Sequence, residues 1–196
     1  MMMFPEGMQH LKGIPAEEAM SRLVDGNRLF VETGMDSGNY SAERRIDTAD
    51  NGQHPYAVII SCSDSRVIPE AIFSAGIGDL FVIRSAGNTI DTCALGSIEY
   101  AVEHLGCSLV VVLGHTGCGA VSAALRDHRG LKVTSILDDI RDAACGETDH
   151  TRVAEMNAMR SVKVISDDLI MDEGVLTVGA IYDIREGTVR FLQNRF

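Results

Sequence analysis

Two short segments of the 196-residue chain contain side chains that bind transition metals. Cys62 opens a Cys-Ser-Asp-Ser-Arg segment, and His115 and Cys118 lie in a His-Thr-Gly-Cys-Gly segment. Zinc selects thiolate and imidazole ligands, and catalytic zinc sites use three protein ligands and keep the fourth position open. The two segments therefore predict a Zn²⁺ site of two cysteines and one histidine that performs chemistry.

A buried-strand pattern precedes each of these segments. The apolar, β-branched runs 56–60 and 109–113 come shortly before Cys62 and His115, and a third such run covers 80–83. Runs of this kind are typical of strands buried in a parallel sheet. Open α/β sheets place their sites at the carboxyl ends of strands, so we expect the two segments to meet there. Cys118 begins a predicted helix, whose positive end is expected to lower the pKa of its thiol.

The remaining pattern predicts an α/β fold. Apolar residues recur at helical spacing and predict helices over 15–32, 92–105, 119–126, 133–144 and 152–171. The segment 35–53 has no sustained periodicity and is predicted to be an irregular connection. The runs 175–182 and 188–192 lie on either side of Gly187 and predict a hairpin. We therefore predict a mostly parallel central β-sheet flanked by helices, with a C-terminal antiparallel hairpin.

The size of the chain bounds its domain organisation. With 196 residues and 45% hydrophobic content, the chain is long enough for one α/β domain and too short for two comfortable ones. We expect a single domain over 1–196, in which an N-terminal helical arm (1–53) precedes an α/β core (54–196).

Charge and cysteine content restrict the partners and the location. The formal net charge is −11, so nucleic acid and anionic membranes, which need a basic surface, are not expected partners. Residues 1–13 lack the features of a signal peptide and no run approaches a membrane span, which predicts a cytoplasmic location. The five cysteines are odd in number, and in a reducing compartment they should be free thiols or metal ligands. Cys93, Cys107 and Cys145 are expected only to fill space.

Two other classes of protein remain open on these residues alone. A non-catalytic zinc-binding or redox protein would use the same cysteines. A nucleotide-binding α/β module would use the glycines after 109–113 to bind phosphate. That segment, however, lacks the G-x-x-x-x-G-K-[ST] spacing and a nearby lysine, so the metal site is the better interpretation.

The paired motifs carry a resemblance to a known family. Cys-x-Asp-x-Arg followed later by His-x-x-Cys-Gly resembles the β-class carbonic anhydrases, and further matching stretches lie at 23–30, 52–55, 84–88, 95–100 and 178–183. The resemblance implies Zn²⁺ bound by Cys62, His115 and Cys118. It also implies reversible hydration of carbon dioxide to bicarbonate and a proton by zinc-bound hydroxide, in a homodimer or a dimer of dimers.

The resemblance also implies roles for three further residues. Asp64 is a poor general base, because a carboxyl group near its reference pKa of about 3.9 accepts protons weakly at neutral pH. The planar fork of Arg66 suits a carboxylate, so Asp64 is expected to stay ionised and to orient the attacking oxygen towards carbon dioxide. Gln53 matches a glutamine that donates to substrate oxygens. In some members the matching aspartate becomes a fourth zinc ligand, and for Asp64 this closed state is a hypothesis.

The motifs leave several properties of the chain undecided. A hydrolase of carbonyl sulfide or carbon disulfide, which are similar cumulated molecules, fits the same motifs. The motifs do not distinguish a dimer from a tetramer. They also do not assign a proton shuttle, for which His54, His104 and His128 are conceivable but are expected to be ordinary surface residues.

Overall fold

A five-stranded sheet forms the centre of the fold. The structure is a computed structural model, which describes residues 13–126, 128–169 and 174–192. The strands are β1 (Ala57–Cys62), β2 (Leu80–Ser85), β3 (Leu109–His115), β4 (Leu176–Tyr182) and β5 (Val189–Phe191). They are ordered β2-β1-β3-β4-β5, with the first four parallel and β5 antiparallel to β4. This arrangement confirms the predicted fold class, including the C-terminal hairpin.

Helices precede, connect and cover these strands. They are α1 (Ala16–Thr33), α2 (Ala42–Asn51), α3 (Pro69–Ile72), α4 (Thr92–Glu103), α5 (Gly119–Leu125), α6 (Val133–Ala144) and α7 (His150–Asp168). Every helix predicted from periodicity is confirmed, with ends that shift by up to three residues; residues 170 and 171 of the last one lie outside the described residues. None of the described helices is long and apolar enough to cross a membrane.

The prediction of an irregular connection over 35–53 was wrong for the ten residues of α2. Ser41 caps this helix, because its side chain accepts a hydrogen bond from the N–H of Arg44 at 3.1 Å. Arg44 in turn donates to the carbonyl of Ile77 at 2.9 Å and to Asp79 at 3.1 Å. No residue of α2 is buried, so the helix has no apolar stripe that could reveal it in the sequence.

Both faces of the sheet are covered, and the side chains of β1 alternate between them. Val58, Ile60 and Cys62 belong to a buried cluster formed with helices α4 to α7. Ala57 and Ile59 belong to a second cluster on the opposite face, formed with α1 and α3. Every residue of β1 and β3 is buried, as expected for central strands of a parallel sheet. The two strands that carry the predicted ligands therefore form a rigid support.

The carboxyl ends of β1 and β3 lie side by side. The strands are neighbours in register, with Ser61 opposite Leu113, and they end at Cys62 and His115. Cys118 follows as the residue that precedes the first turn of α5. The predicted meeting of the two segments at one edge of the sheet is thus confirmed.

Asn27 connects α1 to two distant parts of the chain. Its Nδ2 donates to the carbonyls of Ile72 and Gly187, at 3.1 and 2.8 Å, and its Oδ1 accepts from the N–H of Val189 at 2.8 Å. The side chain is buried, so water does not replace these partners easily. One side chain therefore holds the N-terminal helix against both α3 and the hairpin.

We predict that Asn27→Leu lowers the free energy of unfolding by at least about 2 kcal/mol, because three backbone groups lose a partner in a buried place. Urea unfolding followed by circular dichroism at one protein concentration measures the change. The matched control is Asn51→Leu, which removes only an exposed bond to Asp47. Equal stability of the two variants would contradict the role given to Asn27.

Candidate metal centre

The three predicted ligands meet in one buried cluster. The Sγ atoms of Cys62 and Cys118 lie 4.0 Å apart, and the ligand atoms of Cys62, His115 and Cys118 all lie within 4.8 Å of one another. None of the three residues is more than 4% exposed. Zinc–sulfur bonds of about 2.3 Å in a tetrahedral site place two sulfurs about 3.8 Å apart. The observed spacing therefore fits one zinc ion.

The imidazole of His115 is oriented for metal binding. Its Nδ1 lies 3.0 Å from the carbonyl of Thr116, so Nδ1–H donates there and the lone pair lies on Nε2. Nε2 is buried and has no hydrogen-bond partner among the described residues. A backbone carbonyl behind a histidine is the usual means of orienting a metal ligand. A cation between Nε2 and the two sulfurs would satisfy this nitrogen.

The two thiols hold their protons unequally. The hydrogen bond from Cys118 lowers the pKa of Cys62 to about 4, with His115 and the N–H groups of Asp64 and Gly87 adding to the effect against burial. The same contact and burial raise the pKa of Cys118, whereas the N–H groups of Val121 and Ala120 at the start of α5 lower it, in the expected direction. The two thiols titrate as a pair, so the loss of one proton opposes the loss of the second. A divalent cation supplies the charge that favours loss of both.

Asp64 and Arg66 form a two-pronged ion pair beside the cluster. Arg66 Nε donates to Asp64 Oδ1 at 2.9 Å and Nη2 donates to Oδ2 at 2.6 Å. These hydrogen bonds hold the pKa of Asp64 well below its usual range, although partial burial opposes them. Asp64 Oδ2 lies 4.0 Å from His115 Nε2. Asp64 therefore borders the ligand cluster while Arg66 holds it, and the closed state stays a prediction.

Arg84, which was not among the predicted site residues, fixes the loop after β1. Its guanidinium donates to three carbonyls, those of Cys62 at 3.1 Å, Asp64 at 2.8 Å and Val67 at 2.8 Å. Arg66 adds a bond to the carbonyl of Gly117 at 3.2 Å, which joins the two motif segments. The backbone that carries the ion pair is therefore held from both sides. The sequence marked Arg84 only as the first residue of the matching stretch 84–88, and it gave no sign of this role, because Arg84 acts on carbonyls rather than on the ligands.

Gln53 lies at the opposite end of β1 from the cluster. It is exposed and precedes the strand, whereas Cys62 is the last residue of the strand. The strand between them spans about 17 Å at the usual rise per residue. Of the predicted site residues, the structure brings together Cys62, Asp64, Arg66, His115 and Cys118. Gln53 is not brought to that end of the sheet within one chain.

The fold and the cluster together define an α/β protein with a buried group of ligand atoms whose spacing fits one thiophilic metal ion. The family model described as carbonic anhydrase matches residues 57–189. A carbonic anhydrase from Emericella nidulans is 30% identical, over 92% of this chain and 86% of that protein. Carbonic anhydrase 2 from Mycobacterium tuberculosis is 51% identical over 107 residues, which are 55% of this chain and 51% of that protein. The match thus spans about half the length of this second relative.

Solved structures give the same result. The β-carbonic anhydrase CafA of Aspergillus fumigatus superposes with a TM-score of 0.70 and 28% identity, over 90% of each chain. A tetrameric β-carbonic anhydrase from Sordaria macrospora gives a TM-score of 0.69 and 26% identity, over 89% of this chain and 97% of that one. The chain belongs to the β-class carbonic anhydrase family, as the sequence motifs predicted.

We predict one zinc per chain in the purified protein and loss of most of it in Cys118→Ser, because a neutral hydroxyl replaces a thiolate ligand. Elemental analysis after dialysis measures the zinc content. Cys107→Ser is the matched control, since Cys107 is equally buried but donates to the carbonyl of Pro55 instead. Zinc retained in Cys118→Ser, or lost equally in Cys107→Ser, would contradict the ligand assignment.

Proposed function

We propose that this chain is a zinc-dependent enzyme that interconverts carbon dioxide and bicarbonate. The observation that carries the proposal is the buried cluster of two sulfurs and one imidazole nitrogen, which has no hydrogen-bond partner among the described residues and lies beside a carboxylate that Arg66 holds. Cys62, His115 and Cys118 would hold the metal. Zn²⁺ bound there would supply a Lewis acid that makes water nucleophilic near neutral pH. Membership of the carbonic anhydrase family supports the same reaction.

Asp64 acts in this proposal as a hydrogen-bond acceptor and not as a general base. Its pKa lies well below the usual range, so it stays ionised at neutral pH and takes up a proton only weakly. An ionised carboxylate only accepts hydrogen bonds, and Arg66 leaves it one direction in which to do so. Asp64 therefore accepts a hydrogen bond from an oxygen that carries a proton. This bond orients the lone pair of that oxygen towards carbon dioxide. Arg66 serves by fixing the carboxylate plane.

In this proposal Gln53 acts at the metal cluster of a second copy of the chain. Within one chain it lies at the far end of β1, so it can donate to a substrate oxygen only at the cluster of a partner subunit. A homodimer or a dimer of dimers provides such a partner, and the similar protein from Sordaria macrospora is described as tetrameric. The site is then complete only in the assembly.

A reducing, cytoplasmic setting is also part of the proposal. All five cysteines are free thiols in the structure, and two of them place their sulfurs 4.0 Å apart. Metal binding needs both as thiolates, which an oxidising compartment would oppose.

We predict that Asp64→Asn lowers kcat/KM for carbon dioxide hydration by about 100-fold, the usual scale for losing a positioned polar group. The zinc content should be unchanged, because Asp64 is not among the three ligands. Stopped-flow indicator assays and elemental analysis measure the two quantities. Asp167→Asn is the matched control, since it makes the same change in an exposed pair with Lys163.

The same assays separate the competing functions. Wild-type activity retained in Asp64→Asn would remove Asp64 from the mechanism. Sulfide release from carbonyl sulfide or carbon disulfide, with no hydration of carbon dioxide, would replace the proposed reaction by a hydrolase on the same scaffold. A zinc-loaded protein with neither activity would be a non-catalytic zinc-binding protein.

A mixed assembly tests the position of Gln53. We predict that Gln53→Ala and Cys62→Ser chains, each weakly active alone, regain activity when they are coexpressed and the mixed dimer is purified. The intact metal cluster of one chain would then receive the intact Gln53 of the other. Activity no higher than that of Gln53→Ala alone would show that Gln53 does not act across subunits.

A further inference from the structure

A left-handed turn lies directly behind the sulfur of Cys62. The turn follows β2 as a single 3₁₀ turn, Ala86–Asn88, in which Gly87 has φ 68° and ψ 22° and Asn88 has φ 47°. The N–H of Gly87 donates to Cys62 Sγ at 3.3 Å. Left-handed backbone costs roughly 1–2 kcal/mol at most residues with a side chain, and asparagine is among those that adopt it most readily. The surroundings of Asn88 then decide how firmly the turn is held.

Two side chains of α7 hold this turn through its carbonyls. Asn157 Nδ2 donates to the carbonyl of Gly87 at 2.7 Å, and Ser161 Oγ donates to that of Asn88 at 3.2 Å. Both residues are buried and lie one helical turn apart on the same face of α7. Gly87 is therefore held on both sides, by Cys62 through its N–H and by Asn157 through its carbonyl.

Helices on the same side of the sheet leave the turn little room to move. A Cβ atom on Gly87 would lie 2.8 Å from Ile140 Cδ1 and 3.1 Å from Ala120 Cβ. The same helix α7 packs closely over the end of β3, where a Cβ on Gly114 would lie 3.4 Å from the carbonyl oxygen of Ala154. The position of α7 is thus linked both to the turn behind Cys62 and to the residue that precedes His115.

We propose that Asn157 is a positioning residue for the metal ligand Cys62. By holding the carbonyl of Gly87, which belongs to the Gly87–Asn88 peptide, it fixes the left-handed conformation of Gly87, and this conformation places the N–H of the preceding Ala86–Gly87 peptide against the sulfur. Asn157 lies 70 residues from Gly87 in the sequence. This inference rests on the metal site proposed above. It assigns a function to a buried asparagine that, among the described residues, makes no hydrogen bond to the ligands or to the Asp64–Arg66 pair.

The hydrogen bond from Gly87 N–H affects the energy of the lone pairs of the Cys62 sulfur and the orientation of its side chain. An N–H bond to a thiolate stabilises the sulfur lone pairs, and outer partners of this kind typically change metal affinity by about 10–100-fold when they are removed. Losing the Gly87 contact should therefore weaken zinc binding. It should also shift sulfur-to-metal charge transfer to lower energy, because the sulfur electrons are then less strongly held.

The test compares Asn157→Leu with Val162→Ala in the full-length protein. Leucine has a volume similar to that of asparagine but no hydrogen-bond donor. Val162 is the control, because it is buried on α7 in the apolar cluster that includes Cys62 and takes no part in the hydrogen bonds of Asn157 and Ser161 to the turn. Zinc affinity is measured by competition with a chromophoric chelator, and the Co²⁺-substituted proteins are compared by absorption. We expect Asn157→Leu to bind zinc at least about 10-fold more weakly and to shift the charge-transfer band to longer wavelength. Val162→Ala should lose thermal stability alone.

The outcomes separate this inference from the metal site itself. If Asn157→Leu lowers thermal stability but keeps the zinc affinity and the Co²⁺ spectrum of the wild type, Asn157 is only structural and the inference is overturned. If the wild type binds neither metal, the proposed site fails first. Asn157→Ser, whose hydroxyl is too short to reach the Gly87 carbonyl, gives the same comparison if the leucine variant does not fold.

Discussion

Two buried sulfurs lie 4.0 Å apart beside an imidazole nitrogen that has no hydrogen-bond partner in the described part of the chain, and the rest of the structure depends on this arrangement. Burying such groups is unfavourable unless something compensates their lone pairs and charge. Neighbouring strands β1 and β3 end side by side, and a short loop brings Cys118 back to the same edge. The sheet thus supplies the rigid support, and the divalent cation proposed for this site would supply the compensation.

Two arginines hold the loops around the ligands by hydrogen bonds. Arg84 donates to three carbonyls between Cys62 and Val67, so the backbone that carries Asp64 is fixed before any substrate arrives. Arg66 then sets the plane of the carboxylate and contacts the loop before Cys118. Arg66 is half exposed, whereas the three residues of the ligand cluster are buried. The arginine side of the ion pair therefore meets solvent, and the ligands do not.

Much of this could be predicted from the sequence, because ligand types, apolar runs and helical periodicity are local signals. Cys62, His115 and Cys118 follow directly from motif and strand end, as does the parallel sheet. Helix α2 was not predicted, because the Ser41 cap and Arg44 hold it and no residue of it is buried. The role of Asn157 was not predicted, because this residue lies among the apolar positions of α7 and binds a turn 70 residues away. Gln53 was assigned by resemblance alone, and the motif does not show that it lies at the opposite end of β1 from the cluster.

Zinc K-edge X-ray absorption on the purified, zinc-loaded protein shows which atoms surround the metal. We predict two sulfur atoms at about 2.3 Å and one imidazole nitrogen at about 2.0–2.1 Å, with the remaining contact from an atom outside the three ligands. A zinc surrounded by four protein sulfur and nitrogen ligands, or by oxygen alone, would contradict it. In the first case the site would be structural, and in the second Cys62 and Cys118 would not be its ligands.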